Sequence, residues 1–168
     1  MPEAREYFIS GLKNAHAMEN QALSIMRPQV SRIENYPEVA ARLEQHIKET
    51  EVQIDRLERL LEGLGESNSG LKDMALSFSG SMAAIGHSAA PDEIVKNSFA
   101  NYAFEHFEMA AYKSLLALSP HVGNATATEL LTQSLEEEIA MADWVGRNIE
   151  PVTLQYVALR EAGATAKK

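Results

Sequence analysis

The chain of 168 residues is 45% hydrophobic and 23% charged, the profile of one folded domain with a real core and not of a disordered chain. Its formal net charge of -9 repels a phosphate backbone, which excludes nucleic acid as a partner, and the absence of cysteine excludes disulfides, thiolate catalysis and sulfur-bound metals. No cationic start precedes an apolar run and no apolar stretch reaches bilayer length, so a cytoplasmic protein with no membrane partner is expected.

The 24 acidic residues are nearly all glutamate, which tolerates helix interiors better than aspartate. In residues 3–26, Phe8, Leu12, Ala15, Leu23 and Met26 recur in steps of three and four, and His16 and Glu19 fall on the same stripe. Pro28 predicts a kink or brief interruption, after which Val30 and Ile33 suggest resumption. Pro37 restarts the chain as a second helix over residues 37–64, whose inner line reads Val39, Leu43, His46, Glu49 with Thr50, Gln53, Leu57 and Leu60 or Leu61.

Gly63 and Gly65 close that helix. Residues 71–85 have helical spacing but are rich in Ser, Gly and Ala, which predicts a crossover with one or two short helices. Pro91, Asp92 and Glu93 open a third long helix that ends at Ser119 and Pro120. A fourth spans residues 125–149, with Leu131, Leu135, Glu138, Ala142, Val145 and Ile149 on one stripe, and Pro151 starts a short final helix to about Ala162.

Short links join helices 1 and 2 and helices 3 and 4, while about 26 residues separate the two pairs. The fold class expected is therefore all-α: a ferritin-like four-helix bundle of two antiparallel hairpins joined by a long crossover, plus the short C-terminal helix. Residues 1–162 form a single domain, and 163–168 a flexible tail.

Glu19 and Glu49 lie thirty residues apart, as do Glu108 and Glu138, and the two pairs are offset by 89 residues. Any one glutamate alone usually lies on a solvated face. Together, however, the four sit on apolar stripes at matching heights, because within each hairpin the members lie 17 and 13 residues from the turn. At about 1.5 Å rise per residue the mismatch is only about 6 Å. Carboxylates gathered in an apolar interior repel one another and lose hydration, and a metal cation removes that cost.

Glu105 shares a helix face with Glu108, and Gln53 sits one turn after Glu49. His46 and His16 read as core or orienting histidines more than as ligands. His87, His106 and His121 carry no assigned chemistry. Tyr102 and Tyr112 either donate hydroxyls to the cluster or are ordinary core aromatics. Of the Glu136-Glu137-Glu138 run, only Glu138 follows the inner stripe, so the other two are expected in solvent.

Four segments carry a family likeness: Met18-Glu19-Asn20-Gln21, His46 to Thr50 with Gln53 to Leu57, Glu105-His106-Phe107-Glu108 to Tyr112, and Leu135 to Glu138. On them the chain resembles the YciF-like branch of the ferritin-like superfamily, bacterial proteins associated with stress responses. The resemblance implies that Glu19, Glu49, Glu105, Glu108 and Glu138, with Gln53 nearby, form a di-iron type site. The family usually has Asp where this chain has Ala142, and an aromatic where it has His16. Asp143 lies about 100° around the helix from Ala142, which makes it a poor substitute.

Two functions follow. One is a non-haem protein binding two ions of iron, with manganese as the alternative, since hard oxygen ligands suit both and carboxylate bridges follow changes of oxidation state. That reading leaves room for oxygen or peroxide chemistry. The other is a structural or interaction bundle with a degenerate site, in which protons and hydrogen bonds satisfy the acids. Apolar residues on the crossover and terminal helix need cover, which points to a homodimer.

Overall fold

The computed structural model describes residues 2–66 and 88–168. Four helices order the described chain: α1 Pro2–Arg32, α2 Pro37–Gly63, α3 Glu93–Val122 and α4 Ala125–Glu161. The short helices expected over residues 71–85 lie outside the described residues.

Side-chain bonds fix the packing order. Arg27 bonds Glu51 and His16 bonds Glu58 across α1 and α2, Gln29 bonds Asn101 and Tyr112 bonds Glu19 across α1 and α3, and Gln53 bonds Glu138 across α2 and α4. Along each pair the numbering runs in opposite directions, as it does for Ser119 with Thr128 across α3 and α4. Each helix is thus antiparallel to both of its neighbours. Gly63 and Glu93 consequently fall at opposite ends of the bundle. This is an all-α bundle with the expected ferritin-like connectivity.

One end of the core is aliphatic and aromatic, with Phe8, Leu12, Leu57, Leu61, Leu115 and Leu131 almost wholly buried. There α1 approaches α3 closely: a methyl group on Gly11 would lie 2.8 Å from Leu115 Cδ2, so a larger residue there obliges the Leu115 side chain to shift. The opposite end is a smaller cluster of Tyr36, Ile94, Val95 and Val152. The acidic segments lie between the two.

The prolines do not divide the helices as expected. Pro28, Pro120 and Pro151 all lie inside continuous α-helix. The helix predicted to follow Pro151 is an extension of α4. An internal proline costs about 3 kcal/mol, but beyond Pro151 the buried face continues. Val152 is buried against Ile94 and Tyr36, with Tyr156 and Leu159 packed beside them, whereas Leu154 and Val157 face outward. Pro120 falls in the last turn, where Gly123 at φ 71° ends α3 in the left-handed conformation.

The tail also departs from expectation. Residues 163–168 were expected to fray on composition, but Tyr36 Oη donates to Ala166 O at 2.6 Å, Ile94 N to Lys167 O at 2.9 Å and Asn35 N to Lys168 O at 3.2 Å. Ile94 is in the first turn of α3, where an amide has no partner in its own helix, and the tail carbonyl supplies one. Small side chains let this strap approach closely, and Ala166 is buried.

Candidate metal centre

Each acidic residue is delivered by its helical stripe. Glu19 follows Phe8, Leu12 and Ala15 into the core from α1; Glu105 and Glu108 enter from α3 between Phe104 and Tyr112; Glu138 follows Leu131 on α4. All four are buried, Glu19 and Glu138 to 0% exposure and Glu108 to 1%. The expected gathering of carboxylates therefore occurs, with one member displaced. Glu49 keeps a side-chain exposure of 19% and turns aside: its carboxylate accepts from Gln45 at 2.8 Å and from Arg42 at 3.2 Å.

The position expected for Glu49 is taken by His46, which is 1% exposed. Its Nδ1 lies 2.8 Å from Glu49 Oε2, and its Nε2 lies 3.2 Å from Glu105 Oε2 and 3.5 Å from Glu138 Oε2. One ligand atom from each of His46, Glu105, Glu108 and Glu138 falls within 4.8 Å of all the others. His46, expected to be a core or orienting residue, thus sits among the carboxylates themselves. A histidine three residues before a stripe glutamate was a visible signal, but spacing does not tell which of the two points inward.

Two residues hold the cluster from outside. Tyr112 Oη donates to Glu19 Oε1 at 2.6 Å. Gln53 Nε2 donates to Glu138 Oε1 at 2.5 Å and to Glu137 Oε2 at 3.0 Å. Glu137 in turn takes a two-pronged bond from Arg56, at 2.6 and 2.9 Å, so it is clamped rather than solvated as expected. Glu136 is exposed. Tyr102 lies on the surface against the ring of His106 and makes no bond to the acids. His16 is committed to Glu58 at 3.0 Å. Ala142 is buried and Asp143 exposed, so Asp143 does not bring a carboxylate in place of residue 142.

The electrostatics are those of anions short of a counter-ion. Burial, reinforced by the charge of Glu138, pushes Glu19 and Glu108 well above the ordinary carboxylate range. Burial also lifts Glu105 to about 8, against the opposing charge of His46. For His46 burial acts downward, but the charge of Glu105, the nearness of Glu138 and the bond to Glu49 outweigh it, and the imidazolium is favoured. Glu49 and Glu138 are lowered, Glu49 to about 2: burial opposes their ionisation, and the nearness of His46 is the chief influence that offsets it.

Protons and one imidazolium leave much of the cluster unsatisfied. Glu19 Oε2, Glu105 Oε2, Glu138 Oε2, Gln53 Oε1 and both oxygens of Glu108 are buried without a hydrogen-bond donor. Buried polar atoms normally have partners. The donor set, hard oxygens with one imidazole, is one that could hold a divalent metal ion.

A family described as "Domain of unknown function (DUF892)" matches residues 3–158. The chain belongs to this family. Protein YciF of Escherichia coli (strain K12) is 26% identical over 151 residues, which cover 83% of this chain and 86% of that protein. A solved Xanthomonas campestris pv. campestris protein superposes with a TM-score of 0.79 at 31% identity, covering 95% of this chain and 99% of that one. The E. coli stress protein YciF superposes at 0.69 with 24% identity, covering 89% and 96%. At that identity the likeness shows the shared bundle. The resemblance to the YciF-like branch, seen first at the four acidic segments, is thereby established along the chain.

Proposed function

We propose that this protein binds two ions of iron or manganese at the mid-bundle layer and works in the oxidative or general stress response. The observation that carries the reading is Glu108, buried with neither oxygen bonded. A carboxylate in that position gains only by meeting a cation or by keeping a proton. Glu19, Glu105, Glu108 and Glu138, fully ionised, bring four negative charges, which two divalent ions balance.

Iron or manganese, when bound, supplies Lewis acidity and exchange of electrons with oxygen or peroxide. The chain's own part is positional. Tyr112 fixes the oxygen of Glu19 that it bonds and leaves the other free; Gln53, itself held by Glu137, does the same for Glu138. His46 offers Nε2 to the layer while Glu49 takes Nδ1, which sets the tautomer a ligand needs. Glu49, more exposed than Glu19, Glu105, Glu108 and Glu138, is the one of these five placed to exchange with solvent. The stress role rests on kinship with the E. coli stress protein YciF.

Elemental analysis of protein purified without chelators, followed by titration of the stripped protein with Mn(II) and Fe(II), tests this. About two ions per chain are expected, with binding abolished in Glu108→Ala and Glu138→Ala. Binding absent from the wild type, or unchanged in both variants, refutes it. The second reading, a bundle without a working centre, is favoured by Ala142 and by the imidazolium of His46 already standing between carboxylates. That reading expects no metal and a centre kept neutral by protons.

A further inference from the structure

Arg42, bonded to Glu49, is a feature of the same layer that the metal reading leaves without a purpose. The two lie seven residues apart on α2, two turns along one face. The Arg42 side chain is 11% exposed and that of Glu49 19%, so the pair stands at the boundary between the buried layer and solvent. Glu49 Oε2 is shared between Arg42 Nη1 at 3.2 Å and His46 Nδ1 at 2.8 Å, and Oε1 is taken by Gln45 at 2.8 Å. Of the six acids and amides at the layer, Glu49 alone has its oxygens occupied by donors from the rim, whereas Glu19, Gln53, Glu105, Glu108 and Glu138 each retain an unbonded buried oxygen.

We propose that Arg42 is a latch on the metal site: it holds the Glu49 carboxylate at the rim of the layer and competes with a cation for it. The inference rests on the metal reading of the layer. A cation arriving from solvent meets the Arg42 guanidinium and Glu49 first, because the remaining carboxylates are almost fully buried. Coordination by Glu49 requires its Oε2 to leave Arg42, since an oxygen committed to a guanidinium is a poorer ligand and a fixed positive charge repels the metal. Arg42 therefore lowers affinity and makes occupancy respond to metal concentration.

The test is Mn(II) affinity, read from the electron paramagnetic resonance signal of free Mn(II), for chelator-stripped wild type, Arg42→Met, Arg42→Lys, Glu49→Gln and the double variant Arg42→Met with Glu49→Gln. Arg42→Met should bind Mn(II) about threefold or more tightly, the worth of removing one partly exposed competing charge, and the gain should shrink as salt rises. Arg42→Lys, which keeps the charge without the planar fork, should fall between. In the Glu49→Gln background the gain should largely vanish, because the carboxylate for which Arg42 competes has gone.

A gain of equal size in both backgrounds means that Arg42 acts only as a distant charge and overturns the latch. So does unchanged affinity in both Arg42 variants with normal binding by the wild type. A wild type that binds no Mn(II) overturns the metal reading, and the latch with it. Circular dichroism on each stripped variant separates these results from loss of fold, and Arg42→Lys remains informative if Arg42→Met does not fold.

Discussion

Two glutamates on α3, Glu93 and Glu108, are each 1% exposed, yet they occupy opposite situations. Glu93, at the helix start, lies 2.7 Å from Arg32 and 3.6 Å from Lys167, so α1 and the C-terminal strap both bring it a cation. Nearby, Gln29 and Asn101 exchange two amide hydrogen bonds, at 3.2 and 2.9 Å. Four turns along the same helix, Glu108 stands among Glu105, Glu138 and His46 and has no donor at either oxygen. A buried acid with its own cation is a fastening, and its loss weakens the fold. A buried acid among acids weakens the fold until something from outside arrives.

The difference is sharpest in substitutions at the two sites. Glu108→Ala should reduce Mn(II) or Fe(II) affinity by about a hundredfold or more, since second-layer losses alone cost 10 to 100-fold. The same change should leave the thermal stability of the stripped protein unchanged or raised. Glu93→Gln should do the reverse, costing about 1 to 3 kcal/mol in denaturant unfolding by leaving Arg32 without its anion, with metal affinity unaffected. Equal losses of stability at both positions would erase the contrast.

The pH dependence of the stripped protein provides a second comparison. Glu105 keeps its proton to about 8, against an ordinary value of 4.5, so the folded state holds protons that the unfolded chain has released. Its contribution is complete below 4.5 and is lost as pH rises through 8. Glu19, Glu108 and His46 are raised and act in the same sense. Glu49, lowered to about 2, acts oppositely: its contribution is present above 4.5 and lost on acidification toward 2. Thermal melts should therefore show the stripped protein losing stability between pH 5 and 8, and bound metal should flatten the decline because it replaces the protons.

Smaller effects separate the hydroxyls at the two places. Tyr112→Phe should weaken metal binding by about tenfold through misplacement of Glu19. Tyr36→Phe removes the bond to the strap and should cost about 1 kcal/mol in unfolding without altering metal affinity.

Much of the fold was legible along the chain. The stripes of α1, α2 and α4 gave the helices, and the short and long links gave the antiparallel hairpins, because helical period and chain length are local properties. Helix ends at Pro120 and Pro151 were misread for the complementary reason: proline's local penalty is outweighed at Pro151 by Val152, Tyr156 and Leu159 packing against a different helix. The docking of residues 163–168 was illegible too, since it rests largely on backbone carbonyls accepting from Asn35, Tyr36 and Ile94, which no side-chain pattern announces.

At the centre, sequence alone determined which helix faces carry acids and that Glu19, Glu108 and Glu138 enter one layer with Glu105 beside them. A 3.6-residue period dictates the direction in which each Cβ leaves its helix. Only the tertiary structure decided that His46 points inward while Glu49 turns to Arg42, and that Glu137 reaches the layer through Arg56 and Gln53. Those outcomes depend on side-chain rotamers, which are set by the charges and donors that neighbouring helices present and not by position along one helix.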